Sequence, residues 1–174
     1  MLLVVGGASL EGVLRDVWVG RLEGEDKVSW WDVTEQAPAN FHFCEMAASC
    51  VVPNQTREEG SSWTVCLAGG TSETAYSSQA WLLVVQDGLE EPRVEWRELP
   101  PLPRPRCSHT MAYHPPTNSV VVVGGVEELT EEEREGEEQE AEQEGLPKVL
   151  PTSILSLSLD TMEWVEQESV LREG

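Results

Sequence analysis

Three stretches decide the fold: LLVVGG at residues 2–7, VCLAGG at 65–70 and VVVVGG at 120–125. Each is a short, solidly apolar run that stops at a pair of glycines. The second glycines lie 63 residues apart (Gly7 to Gly70) and then 55 apart (Gly70 to Gly125). Runs of this length, rich in Val and bounded by Gly, read as strands buried on both faces. The glycine pair supplies positive φ, or a close backbone approach, where a strand leaves a crowded centre. One such segment carries little information, but three at a near-regular period describe a repeat.

Tryptophan follows the same period. Trp31 lies 24 residues after Gly7, Trp96 lies 26 after Gly70 and Trp164 lies 39 after Gly125, the longer gap reflecting an inserted acidic run. Between glycines and tryptophan lies a further strand-like piece: DVWVGRL (16–22), QAWLLVV (79–85) and SILSLSL (153–159), with Trp18, Trp81 and Ile154 read as equivalent. Before the second and third glycine pairs another strand is expected, around Met46 to Val52 and Cys107 to His114. The first unit lacks that inner strand. Four antiparallel strands per unit at this period describe propeller blades. A blade packs both faces against its neighbours, which accounts for solid rather than alternating apolar runs.

These features resemble kelch repeats. LPPLPRPRCSHTMAYHPPTNSVVVVGG (99–125) is similar to the family pattern of a Pro-rich linker, an Arg, a His, a small-residue strand and the glycine pair. SILSLSLDTMEW (153–164) resembles the other half, a strand followed by an Asp-x-x-x-Trp turn. The second unit has Cys44 to Ala47 where the third has its Arg and His. The resemblance implies an all-β fold: a partial kelch-type β-propeller of about three four-stranded antiparallel blades, the first without its inner strand. The expected blades cover about 1–36, 43–99 and 105–167, with an acidic low-complexity insertion at 127–147. Closed propellers typically have about 4 to 8 blades, so three imply an open segment that self-associates through its free blade faces.

The charge supports this partition. The chain of 174 residues carries 32 acidic and 11 basic side chains, a net of −21. Eleven Glu and one Arg fall between Glu127 and Glu144, so −10 of that net sits in 18 residues. A run with almost nothing apolar to bury, extended by its own repulsion, reads as a disordered, solvated insertion. The acid excess over the remaining surface disfavours nucleic acid and anionic membrane as partners.

No positively charged region precedes the apolar Met1 to Val5, and the longest apolar stretch, Ala80 to Val85, is far below the ~18 residues of a membrane helix. A cytoplasmic location follows as the default expectation. Cys44, Cys50, Cys66 and Cys107 have no paired CxxC spacing, so they read as reduced, mostly buried thiols rather than zinc ligands. The sequon Asn54-Gln55-Thr56 then has no glycosylating compartment.

Catalytic constellations are sparse. His109 and Tyr113 share one face of a strand, and a copper-radical oxidase on kelch-type blades would use such a pair with a cross-linked Cys. The repeat position of His109 favours a structural role instead. GGASLEG (6–12) lacks the Lys-Ser/Thr of a phosphate loop, and no Ser sits in a GxSxG elbow. Arg104 and Arg106 read either as rim contacts for an acidic partner or, better suited to a repeat position, as internal ties to carbonyls and carboxylates.

No catalytic, cofactor-binding or metal residue is therefore assigned, and no cofactor is called for. Most proteins that resemble this pattern bind other proteins through propeller loops, which implies a scaffold or adaptor rather than an enzyme. The alternative is a kelch-propeller enzyme such as a carbohydrate oxidase or sugar epimerase.

Overall fold

The computed structural model describes residues 1–24, 26–53, 62–72, 74–88, 90–128, 148–149 and 153–168. Sixteen strands are formed within them. In chain order they are β1 (Leu2–Val5), β2 (Ala8–Ser9), β3 (Gly12–Val13), β4 (Val17–Leu22), β5 (Val28–Asp32), β6 (Ala48–Val52), β7 (Ser62–Ala68), β8 (Ala80–Gln86), β9 (Arg93–Leu99), β10 (Arg106–Cys107), β11 (Thr110–His114), β12 (Ser119–Val123), β13 (Val126–Glu128), β14 (Lys148–Val149), β15 (Ser153–Ser158) and β16 (Glu163–Glu168). Three antiparallel sheets form the blades. Blade 1 is β1-β4-β5, blade 2 is β6-β7-β8-β9 and blade 3 is β11-β12-β15-β16. The eleven strands, and the three-stranded first blade, match the sequence expectation. Two small sheets, β2-β3 and β10-β13-β14, brace the loops. Of the acidic run, Glu127 and Glu128 belong to β13, and residues 129–147 lie outside the described residues.

The glycine pairs adopt the backbone that their spacing demands, with φ of 58 and 113° at Gly6 and Gly7, 67 and 105° at Gly69 and Gly70, and 67 and 92° at Gly124 and Gly125. Crowding adds to the conformational requirement. A Cβ on Gly70 would lie 2.7 Å from Cys44 Cβ and 3.1 Å from Ala47 Cβ, and one on Gly125 would lie 2.5 Å from Cys107 O and 2.8 Å from His109 Cβ. Both sets of neighbours belong to the turn that leads into the blade's own inner strand. Met46 and Ser108 take the same left-handed conformation in those turns, φ 55 and 54°. Cys44 to Ala47 is thus the structural counterpart of Arg106 to His109, as the sequence comparison expects.

Register revises two equivalences. Val65 pairs with Leu83 and Leu83 with Trp96, while Val120 pairs with Leu157 and Leu157 with Trp164. Counting five back from the second glycine of blade 1 reaches Leu2, which pairs with Gly20, itself opposite Trp30. Trp30, not Trp31, therefore holds the repeat position. By the same count Leu155, not Ile154, is the counterpart of Trp18 and Trp81, because it pairs with Val122. A one-residue slip along a strand moves a side chain to the other face, and adjacent tryptophans in WW (30–31) hide such a slip from a spacing count.

That reversal has packing consequences. Trp96 faces blade 1, packing with Val17, Val19, Leu83 and Val85, and Trp31 meets the same cluster from the opposite side. Trp164 faces blade 2 in a second cluster with Cys66, Ala80, Val120 and Leu157. Trp30 lies on the outer face of blade 1, where Leu2, Val4 and Leu22 are also exposed. Burial of each interface tryptophan contributes on the order of 3 kcal/mol. Trp164 also donates its indole N–H to Pro100 O at 2.9 Å, tying blade 3 to the linker that leaves blade 2. Among the described residues no helix is long and apolar enough to cross a membrane.

Candidate functional site

The chemistry-bearing side chains fall into a buried structural group and an open, loop-lined cleft. The buried group centres on Arg106, fully buried, whose guanidinium donates to Gly124 O at 3.2 Å and forms an ion pair with Glu127, also buried. Arg104 approaches the second oxygen of the same carboxylate at 3.5 Å. The β10–β13 register, Arg106 opposite Glu127, brings the pair together. Arg106 thus ties a carbonyl and a carboxylate inside the fold and Arg104 reaches the same carboxylate, so a rim role in contacting an acidic partner does not suit Arg106. Spacing alone conceals this, because Glu127 reads as the first residue of a solvated acidic run.

His109 sits beside this pair against Gly69, its ring Cε1 2.6 Å from where a Cβ there would stand. Burial, reinforced by the Arg106 charge, lowers its pKa to about 4, so it is neutral at pH 7. Tyr113 uses its hydroxyl elsewhere, donating to Asn118 Oδ1 at 2.9 Å. His109 lies just before β11 and packs against Gly69, whereas Tyr113 lies within the strand and bonds Asn118, so the two have separate structural surroundings. His114 Nδ1 lies 2.8 Å from Thr117 Oγ1 in the turn beyond β11. No cluster of three or more His, Cys, Asp or Glu suited to a metal occurs among the described residues. The four cysteines are free thiols; burial raises the pKa of Cys50 to about 11 and pushes Cys66 and Cys44 upward as well.

The open cleft, about 550 Å³, lies between the loop that leads into β4, the linker 37–44 and the β7–β8 loop 71–79. Arg15 and His42 are exposed at its edge, and Ser72, Ser77, Gln79 and the buried Tyr76 contribute the remaining polar wall. The loops are held by specific bonds. The Gln79 side chain donates to Asn40 O at 2.7 Å and accepts from the His42 amide at 2.9 Å, which staples the linker to the start of β8. Ser77 N–H donates to Gly70 O, while Arg106 N–H donates to Ser77 O and Leu102 N–H to Ser78 O. Beneath the linker, Phe41 packs between Trp96 and Trp81, with ring centroids at 4.7 and 5.9 Å. Sequence reading missed this aromatic anchor. Its only signal was Phe41 and Phe43, the chain's two phenylalanines, standing together in one short linker.

No family model matches the sequence, and no curated protein does. Solved structures do match the fold. One described as the structure of YjhT is similar to 91% of this chain at 15% identity with a TM-score of 0.54. A chain in the cryo-EM structure of RAG in complex with one melted and one unmelted RSS is similar to 96% at 17% identity with a TM-score of 0.56. This chain spans 40% of the first and 52% of the second, so it corresponds to about half or less of those chains. At such identities the likeness concerns architecture alone, and together with the stacked four-stranded antiparallel sheets it shows a β-propeller-like fold.

Proposed function

We propose that the chain is a kelch-type propeller segment that serves as a protein-interaction scaffold or adaptor, binding partners through its loops. The cleft between Arg15, His42 and the 71–79 loop carries this reading. It is open, polar at its edge and built from loops that backbone and Gln79 bonds already hold in place. Preorganised loops on a packed scaffold bind with less ordering cost than mobile ones. Its hydroxyl, amide, imidazole and guanidinium groups suit hydrogen-bonding to a polypeptide surface. The reading includes a cytoplasmic setting, where the four thiols stay reduced.

The test is affinity capture with the full chain beside an Arg15→Glu/His42→Ala variant. Both side chains are exposed, so the variant should keep its circular dichroism and unfolding midpoint. A partner retained by the parent and lost by the variant supports the reading. Retention of identical proteins by both, or of none by the parent, counts against it.

A further inference from the structure

In blades 2 and 3 an inner strand covers the edge of the strand that ends in the glycine pair. β6 lies against β7 with Cys50 opposite Cys66, and β11 lies against β12 with Ala112 opposite Val121. Among the described residues, the corresponding strand of blade 1, β1, pairs only with β4. Gly6 N–H donates to Asp16 O at 2.9 Å, continuing the β1–β4 ladder. Antiparallel pairs alternate between bonded and non-bonded, so Val4 and Leu2 direct their backbone groups at β4. The N–H and C=O of Leu3 and Val5 consequently point to the open edge.

Beside that edge runs a groove of about 570 Å³, lined by Leu3, Val5, Ala47, Cys50, Trp63 and Leu67 among others. The glycines report the same vacancy. A Cβ on Gly70 or Gly125 meets the turn into an inner strand, whereas one on Gly7 meets nothing within 4 Å. The groove therefore has the position, length and hydrogen-bonding edge of one strand of about four residues, ~13 Å long.

We propose that this groove binds one extended segment of a partner polypeptide, which adds antiparallel to β1 as the fourth strand of blade 1. This goes beyond the loop-face reading, since the site is a strand edge with its own apolar wall. The existing inner strands define the chemistry. The residue opposite Leu3 corresponds to Cys50 in blade 2 and Ala112 in blade 3, so it is small and points toward blade 2. Residues opposite Leu2 and Val4 correspond to Val51 or Tyr113 and to Ser49 or Met111, so size is unrestricted there. Glu45 is the sole charged side chain among the described residues lining the groove, and the chain is strongly acidic, so an uncharged or basic segment is favoured. Main-chain bonds supply affinity and the small-residue position supplies selectivity, the division of labour in strand addition.

The probe is a fluorescent synthetic peptide with the sequence of residues 106–114, carrying Cys107→Ser, titrated into the full chain by polarisation. Its binding is mapped by amide exchange. Saturable binding that slows exchange at Leu3 and Val5 is expected. A peptide N-methylated at the positions of Thr110 and Ala112, whose amides would face β1, should bind about tenfold or more weakly, as loss of two hydrogen bonds implies. This comparison leaves the protein untouched, so folding of a variant is not at issue. Absence of binding, equal binding of the N-methylated peptide, or protection along β16 instead of β1 would overturn the proposal. So would binding seen only after deletion of residues 169–174, which would make the chain's own tail the occupant. Displacement of the peptide by dimer formation as protein concentration rises would assign the groove to a second copy and equally overturn it.

Discussion

Alanine at the three equivalent glycines Gly7, Gly70 and Gly125 separates backbone strain from crowding. Their φ values are 113, 105 and 92°, so each substitution forces an L side chain into a similarly disfavoured conformation. That common cost is about 1–3 kcal/mol. The surroundings differ. A new Cβ meets Cys44 Cβ at 2.7 Å and Glu45 O at 2.8 Å at Gly70, Cys107 O at 2.5 Å and His109 N at 2.9 Å at Gly125, and nothing within 4 Å at Gly7. Backbone atoms and short Cβ groups cannot rotate away, so overpacking adds about 1–3 kcal/mol at the two crowded sites. Gly70→Ala and Gly125→Ala should therefore each be less stable than Gly7→Ala by that increment. In urea, with a slope of about 2 kcal/mol/M, the midpoints should differ by about 0.5–1.5 M. Equilibrium unfolding followed by tryptophan fluorescence measures this directly. If the three variants lose equal stability, the crowding argument is wrong and conformation alone explains the glycine pairs. If Gly7→Ala is the worst of the three, the vacancy beside β1 is also wrong.

Breaking the Arg106–Glu127 pair from one side leaves a buried charge without its counter-charge. Arg106→Met or Glu127→Leu alone should cost about 3–5 kcal/mol, and the double variant should recover much of that loss in thermal or urea unfolding. His109, held neutral with a pKa of about 4, penalises acid conditions. Its unfolded form takes up a proton below its ordinary value of about 6.5 while the folded form does not. The stability it contributes is thus complete above about pH 6.5 and is lost as pH falls toward 4, by up to about 3 kcal/mol. Urea midpoints of the parent should fall more steeply over that window than those of His109→Phe, and parallel curves would refute the assignment. Cys66 and Cys107 are buried, and burial holds the Cys50 thiol near 11. At pH 8 a thiol reagent should leave Cys66 and Cys107 unmodified in the native chain and modify all four on unfolding, as read by mass spectrometry.

Much of the architecture was legible because it rests on local chemistry. VVVVGG and its two counterparts declare buried strands with a left-handed exit, and all six glycines have positive φ. The three-stranded first blade also agrees with the reading of its sequence. The equivalence of Cys44–Ala47 with Arg106–His109 followed from position relative to the glycines, and the matching φ of Met46 and Ser108 supports it.

The remainder depends on partners distant in sequence. Whether Trp30 or Trp31 is the repeat residue turns on register across three strands, and a spacing count that tolerates one residue cannot resolve faces that alternate every residue. Glu127 looked like solvent-exposed acid because local composition does not reveal a buried guanidinium 21 residues upstream. The cleft at Arg15 and His42 joins segments of blades 1 and 2 and the linker between them, so no local motif announces it. The amino-acid sequence by itself determined the eleven blade strands, their repeat and the all-β class, because propensity, apolar runs and glycine conformation act over a few residues. Only the tertiary structure decided which faces meet, which charges are paired and where a strand's place stands open, because these depend on pairing and packing between residues far apart in the chain.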